Sequence, residues 1–275
     1  MGLVTWDGGV SVVLLLVVGL AVGVTTVLFG FGGGFVTVPV IAVVDIALGG
    51  DALRVATATS ALVMLVNAVV ATTATRRDVL ARLRGRRALF VLLGVGGAIG
   101  ALGARFAPDL LLRWGFVAYV GVTVLDLLLR PGFVRAAGAG TERGTSPGGA
   151  WGDWVGGPIG TIAAFFGVGG SVMTVPMMRR SGLSMTVATS LANPLTVAIA
   201  APALAVSLLS RGGMASSSAG LVGSVDVVSA LALMVGAIPV IVVLRRNPPR
   251  IPDALHAWTY IALLVAAATT VAITG

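Results

Sequence analysis

The chain contains no cysteine, no lysine and a single histidine. Without cysteine, disulfide bonds, thiolate metal sites and cysteine nucleophiles are excluded. One histidine and scattered acidic residues disfavour the metal sites of membrane-embedded hydrolases and prenyl-transfer enzymes, so we predict no enzyme and no cofactor. All 18 basic residues are therefore arginines, and they lie in short loops between apolar runs. This placement is typical of a membrane topology signal rather than of nucleic-acid binding.

The chain is rich in apolar residues. They make up 57% of it against 10% charged residues, and the mean hydropathy is +1.05. A soluble protein of this composition could not cover its surface with polar groups. The apolar runs approach or exceed the roughly 20 residues that cross a bilayer. We predict an all-α polytopic membrane protein with about eight hydrophobic segments.

A glycine-rich motif interrupts this apolar pattern twice. The first copy reads Gly-Phe-Gly-Gly-Gly-Phe-Val-Thr-Val-Pro over residues 30–39, and the second reads Gly-Val-Gly-Gly-Ser-Val-Met-Thr-Val-Pro over residues 167–176. In a helix, Gly costs about 1 kcal/mol and Pro about 3 kcal/mol relative to Ala. We predict that helices are broken at both motifs, with Pro39 and Pro176 as structural helix breaks. Two matching breaks indicate a duplicated architecture.

The duplication predicts two repeat halves, residues 1–130 and residues 154–275, joined by a flexible linker at residues 131–153. If all the apolar segments cross, the arginines divide almost evenly between the two sides. If the first and fifth segments are hairpins that return to the side they entered, most arginines join the loop from Arg76 to Arg87. The positive-inside rule favours this second arrangement, which gives two inverted repeats. It places the protein in the cell membrane with the loop from Arg76 to Arg87 on the cytoplasmic side. Against it, residues 10–29 are long enough to cross alone.

The breaks are also the strongest candidates for a binding site. Where a helix stops and restarts, free backbone amides and the positive helix N-terminus bind an anion without a buried formal charge. We predict that the substrate is bound by the break glycines and by nearby hydroxyl and amide side chains: Gly32, Gly33, Gly34, Thr37, Thr59, Ser60, Asn67, Gly169, Gly170, Ser171, Thr174, Thr189, Ser190 and Asn193.

These residues have an alternative interpretation. Close helix packing and hydroxyls bonded to their own backbone are frequent in membrane bundles, and this favours a packing role for any single Ser or Thr. The paired glycine motif favours function. Asp226 begins a span and is the candidate for proton coupling, with a charge at the water boundary as the alternative.

The motif at residues 32–39, its second copy and an Ala-Thr-Ser after each, at residues 58–60 and 188–190, resemble the sulfite exporter TauE/SafE family. This family is also called the toluene sulfonate uptake permease family. The resemblance covers nearly the whole chain. Family members often have Gly-Thr-Ser where this chain has Ala-Thr-Ser, and Ser171 replaces the third glycine of the second break. Neither difference removes a backbone amide.

The resemblance implies a secondary transporter, and an exporter in particular, for small sulfur-containing or organic anions such as sulfite, sulfoacetate or sulfonates. Transport would proceed by alternating access with the anion at the two breaks. The implied partners are the anion and the lipid bilayer, with no nucleic acid, and a homodimer is left open. A channel-like anion facilitator and a non-transport membrane assembly or partner protein are the alternatives.

Overall fold

The computed structural model describes residues 8–44, 52–130, 132–134, 152–209 and 221–273. Most of the linker predicted at residues 131–153 lies outside these ranges. The helices within them are α1 Gly8–Phe29, α2 Gly34–Val44, α3 Ala52–Thr73, α4 Arg77–Leu80, α5 Arg87–Phe106, α6 Asp109–Leu129, α7 Gly156–Phe166, α8 Ser171–Arg180, α9 Met185–Leu209, α10 Val227–Arg246 and α11 Asp253–Ile273. Strands β1 Leu221–Val222 and β2 Val225–Asp226 pair antiparallel ahead of α10.

Six helices of the described part of the chain are long and apolar enough to cross a membrane, namely α3, α5, α6, α9, α10 and α11. Large apolar side chains such as Ile99, Leu125 and Val235 are exposed on their surfaces, which suits contact with lipid rather than water. The prediction of an all-α polytopic membrane protein is confirmed. The count of eight segments and a homodimer stay predictions.

Helices α1 and α10 run in the same direction in close contact. A Cβ atom added at Gly19 would lie 2.5 Å from the Leu233 carbonyl oxygen, and one added at Gly23 would lie 2.6 Å from that of Ala237. Contacts that advance together along both helices require a parallel pair. Glycine allows this approach because it places no side chain between the two backbones.

Helices α5 and α7 form an equivalent parallel pair. A Cβ atom at Gly96 would overlap the Gly157 carbonyl oxygen, and one at Gly100 would overlap that of Thr161. In each pair, the helix that leads into one glycine motif, which we call the first leg of the broken helix, packs against a spanning helix of the other half of the chain. These pairs are α1 with α10 and α7 with α5. The two halves exchange elements and do not pack as separate bundles.

Arginines gather at one end of the bundle. Arg86, in the loop of residues 76–87, pairs with Asp153 just ahead of α7 (2.5 Å), and Arg180 at the end of α8 pairs with Asp126 in the last turn of α6 (2.7 Å). The hairpin of α7 and α8 therefore starts and finishes at the same end. We call it the basic end, defined by the loop of residues 76–87, Arg179 and Arg180, and residues 245–250.

The hairpin of α1 and α2 belongs to the opposite end. Val38 of α2 lines a small apolar crevice with Leu53 and Thr57 from the first turns of α3, so α2 returns towards the start of that helix. At the same end, the Arg113 guanidinium donates to the Val271 carbonyl oxygen near the end of α11 (3.2 Å). The two hairpins thus enter the bundle from opposite ends.

Candidate functional site

The chain turns back on itself at the predicted glycines. The first break, residues 30–33, separates α1 from α2, and the second break, residues 167–170, separates α7 from α8. Gly30 has φ +73° and its counterpart Gly167 has φ +67°. Glycine adopts this left-handed backbone readily because it has no Cβ atom. The predicted helix breaks are therefore present in both motifs.

The prolines of the motifs occupy a different place from the one predicted. Pro39 lies inside α2 and Pro176 lies inside α8, so the interruptions themselves consist of glycine. The pyrrolidine ring holds φ near −65°, which suits a helix and forbids the positive φ of the turn. The reversal can form only at the glycines, and each proline removes one backbone donor further along the returning helix.

The two breaks lie directly against each other. A Cβ atom at Gly34 would lie 2.7 Å from the Gly167 carbonyl oxygen, and one at Gly169 would lie 3.1 Å from the carbonyl oxygen of Phe31. These positions have room for backbone alone. The chain segments that the sequence marks as related are thus brought together by the fold.

Each break also packs against the Ala-Thr-Ser segment of the other half. A Cβ atom at Gly30 would lie 2.5 Å from the Thr189 carbonyl oxygen of α9. The Ser60 hydroxyl of α3 donates to the Gly167 carbonyl oxygen (2.8 Å). Thr189 and Ser60 therefore contact the breaks, through main-chain packing in one case and a hydrogen bond in the other.

The breaks leave backbone donors without partners. Within the described ranges, the amides of Gly32, Gly33, Gly169 and Gly170 donate no hydrogen bond. Each set directly precedes a helix, α2 or α8, whose N-terminal end carries a partial positive charge. This is the arrangement that binds anions at helix N-termini.

Buried side chains near the breaks also lack partners. In the part of the chain that the structure describes, these are both amide atoms of Asn67, the hydroxyls of Ser171, Thr174 and Thr196, and Oδ1 of Asn193. Leaving such a group unsatisfied costs about 1–3 kcal/mol. Buried polar groups almost always have a protein or water partner, so this cluster marks a place where water or a ligand can be bound.

Two residues that sequence reasoning missed connect the breaks. The Thr196 methyl group lies 3.0 Å from the Cβ position of Gly32 and 3.4 Å from that of Gly169, and Met64 contacts the same two positions. Thr196 follows Asn193 by three residues along α9, which puts both on one helix face. This spacing from Asn193 is the feature of the sequence that could have identified Thr196 as a site residue. Met64 carries no polar group that could have pointed to it.

The structure gives three other predicted residues different partners. The Thr37 hydroxyl donates to the Gly33 carbonyl oxygen (3.0 Å), as the packing interpretation expects. Thr59 accepts a hydrogen bond from the backbone amide of Asp226 (2.9 Å). Ser190 lies towards the basic end, where its hydroxyl accepts from Arg245 (2.7 Å). The Thr37 proton is therefore used on the backbone and Ser190 lies away from the breaks, while Thr59 accepts through its oxygen and keeps its O–H proton.

The family model described as sulfite exporter TauE/SafE matches residues 15–271, which include both breaks and all the helices around them. The chain belongs to the TauE/SafE family. The resemblance in the sequence is thereby confirmed, and with it a membrane transporter family. Neither a curated protein nor a solved structure gives a significant match.

In this TauE/SafE protein, Asp226 caps a helix. Its carboxylate accepts hydrogen bonds from the amides of Val228 (3.0 Å) and Ser229 (3.1 Å) in the first turn of α10. Aspartate is among the residues preferred at the N-cap of a helix, so these contacts have a purely structural explanation. Proton coupling through Asp226 therefore stays a proposal, and the capping contacts supply the way to test it.

We expect Asp226→Asn to keep the thermal stability of the protein and Asp226→Ala to lose about 1 kcal/mol, since asparagine caps as well as aspartate and alanine does not. Thermal unfolding in detergent compares the variants. Flux at several pH values then separates the two roles. If Asp226→Asn abolishes pH-dependent flux while remaining stable, the carboxylate couples protons; unchanged flux leaves capping as its function.

Proposed function

We propose that this TauE/SafE protein is a secondary transporter that exports small sulfur-containing or organic anions, such as sulfite, sulfoacetate or sulfonates. The anion would bind between the two glycine breaks, and alternating access would carry it across the membrane. The observation that carries the proposal is the cluster of unpaired backbone amides and buried unpaired polar side chains where the breaks meet. The hydrogen-bond donors of this cluster are neutral amides and hydroxyls, so an anion would be bound there without a charged side chain.

The proposal includes two inverted repeats. In its support, the two broken hairpins enter from opposite ends, and the parallel pairs α1–α10 and α5–α7 are the exchanged equivalents that a two-fold axis in the membrane plane would produce. The arginine-rich end would be cytoplasmic by the positive-inside rule, and the membrane would be the cell membrane. An anion from the cytoplasm would then enter at the basic end.

The close contact of the breaks favours alternating access over an open pore. Gly34 and Gly169 are packed against opposing carbonyl oxygens, so the two breaks are in contact at these positions. An anion at this place requires the two breaks to separate. Such a movement would open the site towards one end at a time, because the two hairpins enter from opposite ends and their first helices pack on different spanning helices.

The site can be tested by replacing Asn67 with leucine. Leucine has a similar volume and leaves no unpaired amide in the interior, so the ligand-free protein should be as stable as the parent or more stable. Anion binding should be lost. The measurement is thermal unfolding in detergent with sulfite, sulfate, thiosulfate, sulfoacetate, taurine, chloride or phosphate, where a ligand at about 100 times its Kd adds about 2.7 kcal/mol.

Thr25→Val is the matched control, since the Thr25 hydroxyl already donates within its own helix to the Val22 carbonyl oxygen (3.0 Å). Thr174→Val, which removes an unpaired hydroxyl, should weaken the same anion response. An anion-induced shift that survives in Asn67→Leu and Thr174→Val would place the anion elsewhere in the protein.

Flux into liposomes separates the two alternatives. A channel-like facilitator would conduct without saturating at high anion concentration and without exchange between labelled and unlabelled anion. A membrane assembly protein would give no flux and no anion-induced shift. Saturable flux with accelerated exchange, lost in Asn67→Leu, is the result expected of a transporter.

A further inference from the structure

A cavity of about 140 Å³ opens at the basic end. Its walls come from the end of α1, the segment from residue 74 to α4, the start of α9, the end of α10 with the loop after it, and the first turn of α11. They include Leu28, Ser190, Arg245 and His256. A cavity of roughly 10–15 Å³ holds one water, so this one admits an anion of several heavy atoms. It is separate from the unpaired groups between the breaks.

Arg245 is the unusual member of the cavity wall. Its Nη1 donates to the Ser190 hydroxyl (2.7 Å), while Nε and Nη2 are buried and have no partner among the described residues. Nε–H and Nη2–H form one edge of the planar guanidinium, the fork that binds two oxygens of a carboxylate, sulfonate or other oxyanion side by side. Arg245 as a whole is half-buried, and with this buried edge unpaired its guanidinium lacks an anionic partner.

The surrounding charges favour an anion as that partner. Of the described residues that line the cavity, none is Asp or Glu, and Arg76 adds a second arginine at the rim. The Arg76 guanidinium is paired with the exposed Asp78 (2.9 Å), and the His256 ring donates from Nε2 to the Leu28 carbonyl oxygen (2.5 Å). Arg245 is therefore the cation in this wall without a counter-charge.

The cavity also leads towards the first break. Thr189 lies in the cavity wall, and its carbonyl oxygen is the atom 2.5 Å from the Cβ position of Gly30. From these observations we infer that the basic-end cavity is an anion entry site. The Arg245 guanidinium, with its Nε–Nη2 edge turned to the cavity, recognises a small soluble oxyanion before it passes to the breaks, while Ser190, whose hydroxyl donates to the Thr186 carbonyl oxygen (2.7 Å), holds Nη1 in place. The inference rests on the proposed function for the direction of passage, but not for the binding itself.

A single introduced thiol tests the entry site, because the chain has no cysteine of its own. In Val187→Cys the thiol stands in the cavity wall. We expect it to react at least tenfold faster with an anionic methanethiosulfonate, the sulfonatoethyl reagent, than with the cationic trimethylammonium-ethyl reagent. Adding Arg245→Gln should reduce this ratio to about one. The ratio cancels any effect of the arginine on thiol ionisation, which changes both rates alike.

Arg246→Gln is the matched control, since it removes the same charge from the same helical turn at an exposed residue that does not line the cavity. It should leave the ratio within twofold of its starting value. Arg245→Lys keeps the charge without the fork, so it should retain the ratio while losing protection by soluble anions. Sulfoacetate and sulfate should slow labelling at least fivefold in the Val187→Cys protein, and less than twofold once Arg245→Lys is added.

Equal ratios in Arg245→Gln and Arg246→Gln, or no protection by either anion, would overturn the inference. Liposome flux is measured separately, so saturable flux together with that result would leave the transporter proposal standing. Selective labelling and protection without flux would support the entry site and contradict the transporter proposal.

A lipid phosphate is the other possible source of an oxyanion at the cavity. Nanodiscs of phosphatidylcholine alone and with phosphatidylglycerol distinguish it, because protection by anionic lipid but by neither soluble anion refutes an entry site for soluble substrate.

Discussion

Replacing Gly30 with alanine should destabilise this protein by several kcal/mol and abolish transport. The residue has φ +73°, where an L-residue pays about 1–2 kcal/mol, and the new Cβ atom would lie 2.5 Å from the Thr189 carbonyl oxygen. The oxygen belongs to the backbone of α9 and the Cβ atom is fixed to the backbone of the break, so no side-chain rotation relieves the overlap. Helix α9 would have to move. Since proteins are stable by only about 5–15 kcal/mol, the loss is a large fraction of the whole. Thermal unfolding at a constant scan rate measures it.

Gly85→Ala is the control for this prediction. Gly85 also has a left-handed backbone, with φ +86°, but no atom lies within 4 Å of its Cβ position. Alanine there should carry the conformational cost alone, with flux unchanged. If Gly30→Ala and Gly85→Ala were equally stable, the tight contact between the first break and α9 would not exist in the working protein.

Gly100→Ala should be nearly as damaging, although the backbone there is helical. An added Cβ atom would overlap the Thr161 carbonyl oxygen, so α5 and α7 would have to separate along their parallel contact. Within lipid, burying apolar surface provides no drive to hold the helices together, and close packing supplies most of the association. We expect loss of several kcal/mol and a smaller monodisperse fraction in size-exclusion chromatography. Gly19→Ala should behave alike in the α1–α10 pair.

Gly121→Ala provides the comparison within a spanning helix. Gly121 lies inside α6 with no atom within 4 Å of its Cβ position. Alanine should keep the stability or raise it by up to about 1 kcal/mol, because it is the better helix former. A Gly100→Ala protein as stable as Gly121→Ala would show that the two parallel helices are not packed through glycine.

These two sets of glycines suggest how the hairpins could work in the proposed transport cycle. The first leg of each broken helix is packed on a helix of the other half, while the breaks meet each other. Movement of one half relative to the other would therefore pull on both breaks together. This arrangement supports a cycle in which the anion site forms and closes as the two halves move.

Local properties of the chain were enough for sequence reasoning to predict several features. Membrane insertion follows from apolar composition and segment length, and the six long apolar helices confirm it. The helix breaks follow from glycine runs, and they lie at both motifs. The family follows from the paired motif and the Ala-Thr-Ser segments, and the family match confirms it. In each case the signal depends on residues close together in the sequence.

The tertiary structure decided which polar groups remain unpaired, because a side chain's partners come from helices far away in the sequence. The Thr37 hydroxyl donates to the Gly33 carbonyl oxygen at the end of the first break, while that of Thr174, its counterpart, has no partner among the described residues. Ser190 meets Arg245 across 55 positions, and Ser60 meets Gly167 across 107. The motifs look alike as sequence, but their surroundings differ, and hydrogen bonding depends on distances of a few tenths of an ångström. By itself, the sequence determined that helices break and that the chain belongs in a membrane; packing between the halves determined where an anion could find donors.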